Sequence, residues 1–552
     1  MNQKVTTTLF TCLALFMMVS QSQAQVSVTD DITSDVTWTA NNTYMLDGLI
    51  FVDDGATLTI EPGTVIKGLE QGSITTGDGA SALIVRRGGK IYAEGTASNP
   101  IIFTSELDDV ADATDLDQRD RGLWGGVIIL GKATTNMPTT DNQIEGIDIL
   151  TDPALYGGTD DHDNSGTLRY VSIRHGGFSI SGVEGDEING LTMGAVGDGT
   201  TIEYVEVFAN FDDCYEWFGG TVNAKYLVGA FCGDDSYDYD QGFRGKGQFW
   251  FSIHDTDVAG RGGEHDGGDG VEDATPFSIP VISNVTYIGS GQNVNPLPGG
   301  DENGDVLKVR DNAGGKYWNS IFTEFPKESV DVEDLSSGED SRARLEAGDL
   351  ALNNNWFWNV GSSNDFSSTG DAWSQAIIEA SNSYSDPDLA GICRTMDNCL
   401  DPRPNAGSAA MSAAVSVGDS FFDDVSYVGA FGENLWVSDW TALAANGFLG
   451  RISSVALEEL EGTLPTTIEL DQNYPNPFNP STAIEYRVAA SFNVRLAVYD
   501  ILGREVAELV NDVQPAGSYR VTFDATGLTS GMYIYRLEVG GDVITKSMML
   551  MK

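Results

Sequence analysis

The chain is 552 residues long and carries 82 acidic against 30 basic residues, a formal net charge of -52. A surface this negative repels nucleic acid and anionic lipid, which argues against both as partners. The 41% hydrophobic content sets the chain apart from the low-hydrophobicity, high-charge composition of disorder and leaves material for large cores.

Residues 1–24 have the parts of a secretory signal: Lys4 near the start, an apolar run from Leu9 to Val19, and Ser22-Gln23-Ala24 as a small-residue cleavage site. The run is too short to span a bilayer, and no later stretch approaches the roughly 20 apolar residues of a transmembrane helix. With Cys12 removed, Cys214, Cys232, Cys393 and Cys399 remain in a chain bound for an oxidising compartment. Sequence-local pairing predicts Cys214–Cys232 and Cys393–Cys399 disulfides, with free thiols as the alternative.

Residues 25–360 read as short strands rich in Val, Ile, Tyr and Phe, cut by Gly, Asn and Asp turns, as in ATLTIEPGTVIKG, WGGVIILGK and TLRYVSIRHGG. Within them TIEYVEVFANFDDCYEWFGG, from Thr201, aligns without a gap on NAKYLVGAFCGDDSYDYDQG, from Asn223, an offset of 22 residues. A fixed period of this size marks a repeat architecture. At about 3.3 Å per strand residue, 22 residues supply at most about 73 Å of path. That suffices for one coil of three short strands and predicts a parallel β-helix rather than a propeller. Insertions at Asp108–Asp120, Asp257–Ala274 and Asn293–Asp305 are expected to project as loops.

Residues 361–456 read as an irregular cap that closes the solenoid, and 457–467 as a linker. From Ile468 to Lys552 the pattern becomes alternating strands with hairpin turns, predicting a small antiparallel β-sandwich. It is preceded by NYPNPFNP, whose prolines forbid helix and central strand. NYPNPFNPST, VYDILGREVAEL, AGSYRVTFDATGLTSGMYIYRL and KSMMLMK resemble the type A C-terminal sorting domain of the type IX secretion system. The resemblance implies an immunoglobulin-like sandwich that engages the outer-membrane secretion machinery. It also implies display of the passenger at the cell surface or its release. LWGGVIILGKA, DDSYDYDQGFRGKGQFW and DPRPNAGSAA resemble bacterial surface proteins with right-handed parallel β-helices, which implies fold and location only.

Adjacent strands lie about 4.8 Å apart, so the overlay stacks Asp212 and Asp213 beside Asp234 and Asp235, and Glu216 beside Asp238. Carboxylates at that distance need solvent or a cation, and calcium, which takes six to eight oxygen ligands, suits them. Asp212, Asp213, Asp234, Asp235, Asp238 and Asp240 are the candidate calcium ligands, weighed against acids on a hydrated turn. Asp161-His162-Asp163-Asn164-Ser165-Gly166 opens like a calcium loop but has Ser172 where an EF-hand has Glu. A catalytic reading would use Glu216 and Asp238 as a glycosidase pair, or Arg244 or Lys246 as the base of a calcium-dependent polysaccharide lyase. Tyr215, Trp217, Phe218, Tyr237, Tyr239, Phe243, Phe249, Trp250 and Phe251 are either core or a sugar platform. No zinc, nucleotide or serine-nucleophile motif occurs.

Together with the surface display that the resemblance implies, these residues predict an all-β, secreted binding, adhesin-like or structural protein that contacts glycans or cations, with a calcium-dependent polysaccharide lyase or a glycoside hydrolase as the alternative. Deleting Ile468–Lys552 should trap the passenger in the periplasm. Cell fractionation with surface labelling checks this, and normal display of the truncated chain would refute the sorting assignment.

Overall fold

The computed structural model describes residues 24–552 except 148–152, 180–186, 269–271, 295–302, 337, 363–364, 367–370, 450–454, 461–464, 466, 490–491, 500, 502–504, 515, 526–527, 529, 541 and 552. The signal segment, apart from Ala24 at the start of the first strand, lies outside the described residues.

A coil begins with Thr201–Phe208, turns into Tyr215–Phe218, and returns as Asn223–Ala230, which pairs in parallel with the first strand, Thr201 opposite Asn223. Tyr215 pairs with Tyr237 in the same way. The 22-residue offset is therefore one full coil. Repeated along residues 24–384, this path builds three parallel faces. The first two meet within the long strands, and the third is a separate sheet of nine strands from Leu49–Val52 to Val330–Val332. Longer returns, such as Thr167 to Thr201 and Val127 to Leu191, carry the insertions.

Alternation along each strand sends every second side chain inward. On the third face these are Tyr215, Trp217, Tyr237 and Tyr239, all essentially sealed from solvent. Equal positions of successive coils meet inside. Tyr215 stacks on Tyr237 at 5.4 Å and Tyr239 on His265 at 3.9 Å, while Trp217 stacks across the core on Trp250 of another face at 5.2 Å. Such pairs add about 0.5–1.5 kcal/mol each beyond the area they bury.

The corner between the first two faces is turned by one residue per coil in the left-handed region. Tyr170, Tyr204, Tyr226, Phe249, Asn284, Asn319 and Asn354 have φ of 50, 54, 59, 59, 54, 53 and 57°. For a residue with a Cβ this costs roughly 1–2 kcal/mol, and contacts made by the outward side chains offset it. Tyr170, Tyr204, Tyr226 and Phe249 form a ladder with centroid spacings of 4.4, 4.3 and 4.9 Å. The asparagines grip backbone from elsewhere in the chain.

That backbone belongs to the segment expected as an irregular cap, which divides in two. The helix Ala372–Glu379, with Phe366 and Ile378 in the core, covers the last coil. The later part runs back along the corner as a strap. Asn354 Nδ2 donates to Ala413 O, Asn319 Nδ2 to Val415 O and Asn284 Nδ2 to Tyr427 O, at 2.8, 2.8 and 2.9 Å. Trp436 and Trp440 then meet the tyrosine ladder edge-on. The strap ends at a buried carboxylate. Glu206 accepts from Ala442 N at 2.6 Å and Leu443 N at 3.3 Å, while Ser172 Oγ donates to it at 2.6 Å. Burial pushes the Glu206 carboxyl above its ordinary range even though Arg174 is nearby.

Cys214–Cys232 and Cys393–Cys399 form disulfides with Cα separations of 5.6 and 5.7 Å. The first runs obliquely between neighbouring turns. In the second loop Arg394 reaches back to the solenoid and donates to His254 O at 2.8 Å.

At the C-terminal end two four-stranded antiparallel sheets enclose Ile484, Tyr486, Leu496, Val521, Tyr535 and Leu537. The stretch expected as a linker departs from that expectation, because Val455–Leu460 pairs with Gly517–Asp524 as an edge strand of the sandwich. Its VALEEL sequence has an extended, partly apolar character that turn residues do not interrupt. Among the described residues no helix is long and apolar enough to cross a membrane.

Replacing Glu206 by Ala leaves two buried amides without their acceptor, at about 1–3 kcal/mol for an unsatisfied buried group. The Glu206→Ala chain should therefore show faster hydrogen–deuterium exchange in residues 436–449. Protection of the strands between 201 and 240 is expected to stay unchanged.

Candidate functional site

The alternation that buries the aromatics of the third face turns Glu216, Asp238 and Glu264 outward in one column, since Glu216 pairs with Asp238 and Asp238 with Glu264. Asp240 and Asp266 lie two residues further along their strands. In the turn that precedes these strands, Asp235 N donates to Asp213 Oδ1 at 2.8 Å across one coil. Asp212, Asp213 and Asp234 each place a carboxylate oxygen within 4.8 Å of the other two.

One wall of the site comes from an insertion. Asn142–Gln143 and Leu155–Tyr156 make a small antiparallel pair, and Ile144, Ile147, Ala154 and Tyr156 cover the outward apolar residues Phe51, Ile128, Leu130 and Phe218. This packing delivers Glu145 to the acids. Asn189 Nδ2 then bridges two carboxylates, donating to Glu145 Oε1 at 2.8 Å and also to Glu216 Oε2. Tyr156 Oη donates to Gln241 Oε1 at 2.7 Å. The result is a cleft of about 500 Å³. Nine carboxylates line it, from Glu145, Asp212, Asp213, Glu216, Asp234, Asp238, Asp240, Glu264 and Asp266, with Arg310 as the one basic lining residue among those described.

Like charges at 4.8 Å repel by about 3.5 kcal/mol at an effective dielectric of 20, and burial adds to the cost of ionisation. Asp212, Asp213, Glu216 and Asp238 are all held well above the usual carboxylate range, first by burial and then by neighbouring acids. Asp235, 1% exposed, is pushed to about 7 by burial and by Asp234, against the pull of Arg261. Glu264 is pushed to about 8 by burial and by Asp235.

The candidate calcium ligands therefore occupy three different settings. Asp212, Asp213 and Asp234 converge. Asp235 is turned onto Arg261, whose backbone N donates to Asp235 Oδ1 and whose guanidinium lies 3.3 Å from Oδ2. Asp238 and Asp240 line the cleft farther along the strand. Arg244 and Lys246 lie outside the cleft lining, because each is bound to an acid elsewhere: Arg244 pairs with Asp161 at 3.3 Å and Lys246 with Asp419 of the strap at 2.6 Å. The acids of the Asp161–Gly166 loop are spent on the neighbouring segment, with Asp161 accepting from Thr134 N and Asp163 from Lys132 N. The aromatics expected as core or platform are core, apart from Phe218 beside Tyr156 and Phe249 and Phe251 under the strap.

Glu145, Asn189, Arg261 and Arg310 were not evident from the sequence as site residues, whereas Glu264 and Asp266 belong to the acidic stretch Gly262–Asp273, which offers calcium oxygens or a solvated loop. Glu145 and Asn189 reach the cleft through an insertion and a long return, which no period announces. Glu264 and Asp266 carried a signal, since GGEHD has the same alternation as SYDYD. The expected projecting loop at 257–274 in fact contains a strand of the third face, Gly263–Asp266.

Residues 30–391 match the family model described as a pectate-lyase like beta helix domain. The chain belongs to that family. Residues 472–551 of this pectate-lyase-like β-helix protein match the secretion system C-terminal sorting domain. The protein is thus exported across the outer membrane by the type IX route to the cell surface or extracellular space. Comparison with curated proteins and with solved structures gave no match.

Raised carboxyl pKa values have a definite sign. Between the ordinary carboxylate range and about 8, the folded β-helix holds more protons in this cleft than the unfolded chain does. Stability of the cation-free protein therefore falls as pH rises through that window. In chelator the melting temperature should be higher at pH 5 than at pH 8, and differential scanning calorimetry at both values checks this.

Proposed function

We propose that this secreted protein is a surface-binding protein whose acidic cleft holds calcium and contacts a glycan through it. The observation that carries the reading is the convergence of Asp212, Asp213 and Asp234, with one oxygen of each within 4.8 Å of the others. Calcium accepts six to eight oxygens in flexible geometry, so three carboxylates on two stacked turns, completed by water or hydroxyl groups, fit it well. A cation also supplies the positive charge that the stacked acids lack. The cleft volume of about 500 Å³ lies within the usual range of roughly 300–1,000 Å³ for small-ligand sites. Its polar lining supports a sugar, whose hydroxyls can donate to carboxylates and complete a calcium shell.

A second reading rests on Glu216 and Asp238, which pair in register and both face the cleft. The spacing of adjacent strands approximates the roughly 5–5.5 Å carboxyl separation of a retaining glycosidase, and a carboxyl kept protonated by burial could act as general acid. The lyase form of this reading has less support, since Arg244 and Lys246 are engaged elsewhere.

Isothermal titration with calcium chloride tests the first reading. Saturable binding is expected in the wild-type chain, weakened at least tenfold by Asp212→Asn with Asp234→Asn, and equal binding in both chains would overturn it. On a glycan array in calcium, retention without release of reducing ends or unsaturated products is expected. Product release abolished by Glu216→Gln would favour hydrolysis instead.

A further inference from the structure

We propose that the Cys393–Cys399 disulfide is a thiol-operated latch on the end of the strap: a small dithiol opens it in the folded protein, and its opening frees residues 444–449 from the solenoid.

The two disulfides occupy opposite settings. Cys214 and Cys232 are 1% and 2% exposed and belong to the sealed core of the solenoid. Cys393 and Cys399 are only half-buried, and Thr395, Met396 and Asp397 between them stand in solvent. Exchange begins when a thiolate attacks one sulfur of the bond, so access to that sulfur limits it. An external dithiol therefore reaches the second bond and not the first.

What the second bond holds follows from its place in the chain. Leu389–Gly391 and Asp401–Pro404 form a hairpin with Leu389 opposite Pro404 and Gly391 opposite Asp401, and the register shifts between them. Pro404 brings no N–H to this ladder, and a short two-stranded hairpin is marginal in water. The disulfide closes the tip and keeps the two legs together. Each leg is attached to a different partner. On the incoming leg the Arg394 guanidinium donates to His254 O at 2.8 Å and to Gly289 O, carbonyls of two successive coils. Gln118 of the 108–120 insertion donates to Arg394 O at 3.3 Å. On the outgoing leg Asn398 N donates to Gly447 O at 2.9 Å and Leu400 N to Phe448 O at 3.0 Å. The buried Leu400 also packs with Phe448, Leu443 and Phe431. The bond thus joins the leg anchored on the coils to the leg that grips the strap, and the gripped stretch leads into Val455–Leu460, the edge strand of the sorting sandwich.

In the exchange, one thiolate of the dithiol bonds to a protein sulfur and expels the other as a thiolate. The second thiol of the reagent then displaces the first protein sulfur and closes the reagent's own disulfide. Two electrons pass from the dithiol, which is oxidised, to the cystine, which is reduced to two cysteines. With the bond open, the Arg394 anchor no longer positions Asn398 and Leu400 against the strap. Glu206 and the tyrosine ladder still hold the strap as far as Leu443, which confines the release to residues 444–449.

Treatment of the purified full chain with dithiothreitol at pH 8 without denaturant, followed by alkylation and mass spectrometry, tests the proposal together with hydrogen–deuterium exchange. Two thiols per chain, Cys393 and Cys399, should become alkylated. Residues 394–400 and 444–449 should then exchange about tenfold faster, while residues 201–240 keep their protection. Cys393→Ser combined with Cys399→Ser should show the same exchange pattern without reagent. No thiol released before global unfolding, or release of all four together, would overturn the accessible latch. Two thiols released with unchanged exchange in 444–449 would overturn its hold on the strap.

Discussion

In-register stacking of equal positions, one strand spacing apart, is the constraint on which this molecule depends. Every residue that a coil places on the third face meets its counterpart from the coils before and after. Inside the solenoid that rule is favourable, because Tyr215 stacks on its counterpart Tyr237 and Tyr239 on its counterpart His265. Outside it the same rule is unfavourable, because Glu216, Asp238 and Glu264 are carboxylates in direct succession. The interior column and the acidic column are products of one register, and a slip by a single residue would exchange them.

The strained corner shows how the solenoid holds its shape where regular pairing is interrupted. Each coil must turn between its first two faces within a continuous strand, and a left-handed residue makes that turn. Its side chain is thereby directed outward, where tyrosine rings or asparagine amides are available to the strap. The strap thus covers aromatic surface that would otherwise be exposed and gives the asparagine amides backbone partners. Glu206 secures its far end by capping the short helix Ala442–Ala445, a buried acid used for position rather than chemistry.

The cleft lies on the remaining face, across the solenoid from the strap-bearing corner. It exists because an insertion covers the apolar outer surface at Ile128 and Leu130 and stops short of the acids. That edge brings Glu145 to Asn189 of the neighbouring coil beside Glu216 and converts an open acidic strip into a partly enclosed site. Enclosure raises the carboxyl pKa values, and the same enclosure gives a cation or a polyhydroxylated ligand several oxygens at once.

The coil, its stacking offset and the sandwich with its sorting motifs were legible in the sequence, because period, alternation and turn residues are local properties. The gapless overlay from Thr201 to Asn223 carried the register, and with it the pairing of Glu216 with Asp238. Other outcomes depended on long-range packing. Whether Tyr215 and Trp217 face inward or outward is a matter of which side closes into the solenoid. Arg261 claims Asp235, and Asp419 claims Lys246, from positions that no spacing rule connects. Glu145 enters the cleft only because an insertion folds over the outer face, and the expected cap became a strap because the corner offered rings and amides to hold it. The sequence by itself determined which acids would be stacked. The tertiary structure decided which of them would be enclosed, because enclosure requires a wall supplied by a segment distant in the chain.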